Sequence, residues 1–317
     1  MSFSFSSFEA ALKGGAAISA DDVRALRGEV WPDGTVSEAE AEAVFELNRM
    51  AGHAAPEWSD FFLEAMGEYV VDGKPPHGYV DETGATWLIG QIERDGHPIT
   101  GLELELVVKV LEKALNCPPA LKAWALARIE GAVLSGEGPT RDGPARPGTI
   151  DEAEVRLLRR IVFTAAGDGA LTIGADEAEM LWRLKDACRA GENADGWKTL
   201  FVQAVGNHLM AYSSYRPLER AEAVRLEAFF DDHSSSPLGF FRRMIASRGE
   251  GAVDAIRAAL NEDRTAPQHD AAVDAARAIT PDESKWLQAH IDADGARDAL
   301  EQALLDFIAE ETAQRPS

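Results

Sequence analysis

The sequence predicts an all-α protein that is internally duplicated and built from helix–Asp-Gly turn–helix units. Helix-forming Ala, Leu, Glu and Arg dominate it, whereas only 4 of its 317 residues are tyrosine. Apolar residues recur at helical spacing along most of the chain. Segment 18–27, ISADDVRALR, returns as segment 150–159, IDEAEVRLLR. A repeat of this kind predicts that two parts of the chain share one architecture.

The first two predicted helices each begin at a capping residue. Ser19 can cap a helix whose apolar stripe has i, i+3 and i+7 spacing and consists of Val23, Leu26 and Val30. Segment 32–34, Pro-Asp-Gly, ends this helix because proline lacks a backbone donor and glycine accepts the turn geometry. Ser37 and Glu40 then form the S-x-x-E pattern, in which each side chain satisfies a free backbone N–H group.

Four further helices complete the first half. The third is predicted over 56–72 and the fourth over 80–92, before the turn Asp95-Gly96. Proline or a hydroxyl–glutamate pair marks the starts of the third, fifth and sixth helices, at Pro56, at Thr100 with Glu103, and at Pro118-Pro119. The Gly- and Pro-rich stretch 136–148 then predicts a linker.

The second half repeats these helices with one interruption. Thr280, Pro281 and Glu283 form a strong helix start in a segment that matches 80–88. The predicted organisation is an N-terminal lead-in at 1–17, a first helical half at 18–135, the linker at 136–148, a second half at 149–213 and 279–313, and an inserted helical segment at 214–278.

The charge balance restricts the classes of partner. The net charge of −23 repels phosphate backbones, and without a basic patch it predicts no nucleic-acid binding. No stretch has the 18 or so apolar residues that membrane insertion needs, and no signal peptide is apparent. Cys117 and Cys188 lie in different halves, which favours reduced thiols. These features predict a cytoplasmic protein whose partner is a protein of unknown identity.

The recurring Asp-Gly turns resemble degenerate EF-hands. Counting back from each glycine as position six of a twelve-residue calcium loop places acidic residues at several ligand positions. The candidate ligands for Ca²⁺ or Mg²⁺ are Asp33, Glu40, Asp95, Glu103, Asp168, Glu177, Asp292, Asp294 and Glu301. No turn supplies the six to eight oxygens that calcium requires, and position one holds Glu29, Gln91 or His290. Tight turns and capping boxes account for the same residues, so both interpretations stay open.

A second resemblance is to the tellurite-resistance TerB-like helical family. Its D-G-x-[IV]-[ST]-x-x-E turn is matched by segment 33–40, DGTVSEAE, and with one insertion by segment 95–103, DGHPITGLE. The resemblance covers about half of the chain. It implies an acidic, cation-attracting surface and a stress-related binding or scaffold role, with Asp33, Asp95, Asp168 and Asp294 as the residues carried over.

The remaining constellations favour packing over chemistry. The repeated aromatic residues are expected in the core, and they are Trp58, Phe62, Trp197 and Phe201. The histidines lack zinc-ligand spacing, and no phosphate-binding or nucleophile-elbow motif occurs. The leading hypothesis is therefore a non-catalytic interaction or scaffold protein. The alternatives are a divalent-cation-binding protein and an enzyme with its site in the cleft between the halves.

Overall fold

The all-α class predicted from the sequence is confirmed. The computed structural model describes residues 12–31, 35–51, 54–141, 143, 145–164, 173–210, 281–292 and 297–313, and these ranges contain no β-strand. The helices are α1 Ala20–Val30, α2 Glu38–Met50, α3 Pro56–Asp72, α4 Glu82–Ile92, α5 Gly101–Lys113, α6 Pro119–Ser135, α7 Glu152–Val162, α8 Ala175–Ala187, α9 Asp195–Met210, α10 Pro281–Asp292 and α11 Ala299–Ala313. Within these ranges, no helix is long and apolar enough to cross a bilayer.

The helix starts predicted from capping patterns are confirmed. The hydroxyls of Ser19, Ser37 and Thr100 each accept a hydrogen bond from the backbone N–H three residues on, at the starts of α1, α2 and α5. The acidic side chain at that third helical position accepts in return from the backbone of the capping residue. Each reciprocal pair satisfies two of the four N–H groups that a helix start leaves free.

One hydrophobic core runs through both halves. Helices α5 and α6 of the first half pack against α7 of the second, and α6 also packs against α8. A hydrogen bond and two ion pairs also connect the halves at this interface. The Thr164 hydroxyl donates to the carbonyl of Leu111 at 2.9 Å, and Arg160 forms ion pairs with both Glu105 and Glu112 at 2.7 Å.

The predicted linker 136–148 is bonded to both halves over its described residues. Gly136 ends α6 with a left-handed φ of 78°, which glycine adopts without strain. The Gly148 N–H donates back to Val133 in α6 at 2.9 Å, while Arg141 reaches Glu154 in α7. The inserted segment 214–278 lies outside the described residues.

The aromatic contacts of the two halves correspond position by position. Phe45 and Trp182 are each the eighth residue of a 13-residue helix, α2 and α8. Phe45 lies 5.2 Å from Phe62 between ring centroids, and Trp182 lies 5.5 Å from Phe201. Each also meets the tryptophan of the next matched helix edge-on, Phe45 with Trp87 at 5.7 Å and Trp182 with Trp286 at 5.5 Å.

The backbone contacts around the repeated tryptophans correspond as well. The N–H of Ala55 donates to Ile18 at 2.8 Å, and that of Ala194 donates to Ile150 at 2.8 Å. The next helix in each half then buries a tryptophan, Trp58 or Trp197, to the same 2% exposure. The expectation that these residues belong to the core is confirmed, and their matched surroundings support the internal duplication, which remains a prediction.

We expect equal losses of stability when matched core rings are truncated. Phe62→Ala and Phe201→Ala each remove a fully buried ring, and each should lower the free energy of unfolding by about 3–5 kcal/mol. Leu134→Ala, at a side chain that is 47% exposed, serves as the control and should change it by less than about 0.5 kcal/mol. Chemical denaturation checks both values. A loss at either phenylalanine no larger than that of the control would contradict the shared core.

Candidate functional site

Five of the nine acidic residues predicted as metal ligands lie wholly or partly outside the described structure. Asp33, Asp168 and Asp294 fall outside the described residues. Asp95 lies in a short 3₁₀ turn, Arg94–Gly96, and Asp292 is the last residue of α10, but the side chains of both are outside the described part. Cation binding at these positions therefore stays a prediction.

The other four predicted ligands, Glu40, Glu103, Glu177 and Glu301, share one structural role. Each is the third residue of its helix, and its carboxylate accepts a hydrogen bond from the N–H of the residue that precedes the helix. Those bonds measure 2.8, 2.8, 3.0 and 2.9 Å in the same order. These oxygens are thus engaged by the fold, as the capping interpretation predicts.

Glu177 and Glu301 each carry a second partner on their other oxygen. The ammonium of Lys122, in α6 of the first half, lies 2.5 Å from Glu177 Oε1. Glu301 is 1% exposed, and its Oε1 accepts from the ammonium of Lys185. A positive charge of the protein itself therefore lies where a bound cation would have to lie.

Lys185 occupies the centre of a group of three carboxylates between α8 and α11. Its Nζ lies 2.9 Å from both Asp186 and Asp298 and also bonds Glu301. Among the described residues, these three acids form the one group of His, Cys, Asp and Glu whose ligand atoms are close enough together to hold a metal ion. Arg189 adds a second cation 3.1 Å from Asp298. The group is therefore an ion-pair network that joins α11 to α8.

The protonation states follow from these contacts. Burial opposes ionisation of Lys185, but its three carboxylate partners outweigh burial and raise its pKa above the ordinary value. Burial likewise opposes ionisation of Asp298, but the Glu301 N–H and Lys185 outweigh it and lower the pKa of that carboxyl. The stabilisation from Asp298 is therefore present at neutral pH and is lost as pH falls through this lowered pKa. That from Lys185 is lost only as pH rises through its raised pKa.

A second buried network surrounds Glu154 in α7. Thr140 and Arg141 donate to its two oxygens, each at 2.7 Å, and the side chain is fully buried. Burial raises the pKa of Glu154 despite these donors. The nearby Cys188 thiol is fully buried, and burial together with Glu154 raises its pKa to about 11. A thiol with so high a pKa is a poor nucleophile at neutral pH.

An open cleft of about 70 Å³ lies between the end of α3 and the start of α4. Tyr69 and Trp87 form one wall, with ring centroids 4.8 Å apart at an interplanar angle of 60°. Glu38, Asp81 and the exposed Lys74 also line it. Burial raises the pKa of Tyr69 to about 12, and the charges of Glu38 and Glu42 add to the effect. The cleft therefore combines aromatic surface with negative charge.

The matched position in the second half is filled by histidines. His208 corresponds to Tyr69, and its ring lies 5.5 Å from that of Trp286, the counterpart of Trp87. His290 lies on the other side, with its ring 4.2 Å from Trp286 and its Nε2 3.1 Å from Glu179. The indole N–H of Trp286 donates to the same Glu179 oxygen at 3.1 Å.

Comparison with protein-family models, curated proteins and solved structures gave no match. The resemblance to the TerB-like family therefore rests on the turn motif alone. Any functional proposal has to come from the chemistry of the described residues.

Two features of this chemistry were not found from the sequence. Lys185 occupies an apolar-stripe position of α8, since it follows Ala178 and Leu181 at helical spacing. A lysine on a buried stripe signals a buried ion pair, and this signal was available in the sequence. The aromatic cleft had no such signal, because Tyr69 and Trp87 are 18 positions apart and belong to different helices.

We expect Lys185→Met to destabilise the protein by about 3–5 kcal/mol, because it leaves three carboxylates without their shared counter-ion. Lys113→Met is the matched control, since Lys113 pairs with Asp72 at a partly exposed site and its loss should cost at most about 1 kcal/mol. Thermal and chemical denaturation at neutral pH measure both. Equal effects of the two substitutions would show that the network does not hold α11.

Proposed function

We propose that this protein is a non-catalytic helical scaffold that holds a basic protein partner against its acidic surface. The observation that carries the proposal is the distribution of its charged groups. The net charge is −23, and several cations are turned inward onto buried carboxylates, foremost Lys185 and Arg141, whose side chains are 1% and 5% exposed. Because these cations pair with carboxylates that are themselves buried, they do not offset the acidic excess of the sequence. Such a surface favours basic partners and accelerates their association.

The packing of the helices supports a rigid platform. The core is continuous across both halves, and ion pairs such as Arg183 with Glu130 at 2.8 Å cross between α8 and α6. A scaffold benefits from this rigidity because partners bound to a preorganised surface lose less of their binding free energy to ordering it. A stress-related role, as the TerB-like resemblance implies, is compatible with this proposal.

An enzyme with its site between the halves is the less favoured alternative. The described contacts between the halves include packed apolar side chains, ion pairs and the hydrogen bond from Thr164 to Leu111. The buried thiol of Cys188, with its raised pKa, does not supply a nucleophile.

The scaffold proposal is tested with the full chain and purified partners. Proteins captured on the immobilised chain are identified, and each is then titrated alone by calorimetry. We expect a basic partner with a defined stoichiometry whose affinity falls at least about tenfold as ionic strength rises from about 0.05 to about 0.5 M. An unrelated basic protein of similar charge is the control. If no captured protein binds more tightly than this control, the proposal is wrong.

The cation-binding alternative is tested by titrating Ca²⁺ and Mg²⁺ into chelator-treated protein. We expect no saturable heat up to about 1 mM Ca²⁺, because Glu40, Glu103, Glu177 and Glu301 already accept backbone hydrogen bonds. A saturable isotherm with a stoichiometry near the number of Asp-Gly turns would instead favour the cation-binding hypothesis. The same titration of Lys185→Met separates the Asp186–Asp298–Glu301 group from the turns.

A further inference from the structure

We propose that the cleft between Tyr69 and Trp87 binds an arginine side chain of the protein partner. This inference rests on the proposed scaffold function and assigns a specific contact to it. It follows from a local arrangement that the chain itself repeats, in which a tryptophan, a glutamate and a cation meet.

The first example joins α1 to α3. The guanidinium of Arg27 lies 5.4 Å from the ring centroid of Trp31, and the indole N–H donates to Glu68 at 3.1 Å. Arg27 also pairs with Glu64 at 2.7 Å. The π-face of the indole ring attracts the guanidinium of Arg27. Glu64 balances the charge of that guanidinium, and Glu68 accepts from the indole N–H.

The second example lies between α4 and α6, and the third is the histidine site of the second half. Arg128 lies 5.2 Å from the ring of Trp124, whose N–H donates to Glu93 at 2.8 Å. In the third, Glu179 accepts from Trp286 and lies 3.1 Å from Nε2 of His290, whose ring lies against the same indole. Trp31, which directly follows α1, and Trp124 thus each combine a carboxylate acceptor with an arginine over the ring, and Trp286 has an imidazole in place of the arginine.

Trp87 has the aromatic part of this set but lacks both the carboxylate acceptor and the cation. Within the described part of the chain, its ring has no cation over it, and its Nε1 is buried without a hydrogen-bond partner. When the two halves are aligned, His290, four residues after Trp286, corresponds to Gln91, four residues after Trp87. Glu42 corresponds to Glu179, so a carboxylate is present at the matched position. A bound arginine would supply the missing cation, while the indole N–H would still need an acceptor.

The chemistry of the cleft favours arginine over lysine. The tilted Tyr69 and Trp87 rings expose flat aromatic surface, on which a planar guanidinium stacks better than an ammonium. The carboxylate of Glu38, which also lines the cleft, suits the fork of N–H donors that arginine presents. Tyr69 stays protonated, because its pKa of about 12 lies well above neutral pH. One lysine of the chain, Lys74, lines the cleft and leaves a negative balance against Glu38, Glu42 and Asp81.

The test uses the full chain and N-acetyl-arginine amide as the probe. The indole N–H signal of Trp87 is assigned in a ¹H–¹⁵N spectrum by its loss in Trp87→Phe. We expect millimolar arginine amide to shift this signal saturably, while N-acetyl-norleucine amide leaves it in place and N-acetyl-lysine amide binds at least about threefold more weakly. Equal binding of all three amides, or an unmoved Trp87 signal, would overturn the proposal.

The charge requirement is tested by the double variant Glu38→Gln and Glu42→Gln. We expect it to weaken the arginine amide at least about fivefold. Glu29→Gln with Glu192→Gln removes two exposed charges elsewhere and is the matched control, which should bind as the wild type does. Circular dichroism verifies the fold of both.

The same variants separate this inference from the scaffold proposal. If a purified partner binds the wild type and the Glu38→Gln and Glu42→Gln double variant equally well, the proposed arginine site in the cleft is wrong and the scaffold function stands. If the arginine amide shifts Trp87 but no captured protein exceeds the basic control, the cleft assignment stands and the scaffold function fails.

Discussion

The reciprocal hydrogen bonds at the helix starts are the interaction on which the rest of the structure depends. An acidic side chain at the third helical position forms such a pair at the starts of α1, α2, α5, α7 and α11, and at α8 it accepts from Gly174 without a return bond. Each closure fixes where the preceding turn enters the helix and so sets how consecutive helices pack. It also engages a carboxylate that would otherwise be available to a cation. Four of the nine residues that resemble calcium ligands, Glu40, Glu103, Glu177 and Glu301, are thus residues that begin helices.

A second constraint is the need to place large indole rings in an acidic molecule. An indole N–H that leaves water needs an acceptor, and here glutamate is the usual acceptor, as for Trp31, Trp124 and Trp286. At Trp124 the carboxylate that approaches the indole also pairs with the arginine over the ring, since Arg128 lies 3.5 Å from Glu93. Hydrogen bonding and charge balance therefore explain the same three-residue arrangement. Trp87 differs because its ring borders an open cleft, which gives an external cation access to that position.

How well these features can be predicted depends on how many residues separate the two contact partners along the sequence. The caps at Ser19, Ser37 and Thr100 were predictable because their partners lie three residues away, and the helical spacing of apolar residues fixed the class. The ion pair of Lys185 with Glu301 joins residues 116 positions apart. Local sequence spacing does not indicate that two residues so far apart along the chain are in contact. The linker prediction shows the same limit. Gly and Pro content describes the local backbone of 136–148, whereas the contact of Arg141 with Glu154 depends on tertiary packing.

The placement of the cations connects this packing to the proposed function. Of the basic side chains, Lys185, Arg141, Arg49 and Lys122 are at most 12% exposed, and each pairs with a carboxylate. At Lys185, Arg141 and Lys122, the cation and its carboxylate are withdrawn from solvent together, so these pairs do not offset the acidic excess of the sequence. The cations that balance buried carboxylates are therefore not available to balance the acidic groups of the surface. A partner with exposed arginines supplies the charge that the surface lacks, and it does so most effectively where aromatic rings accompany the carboxylates.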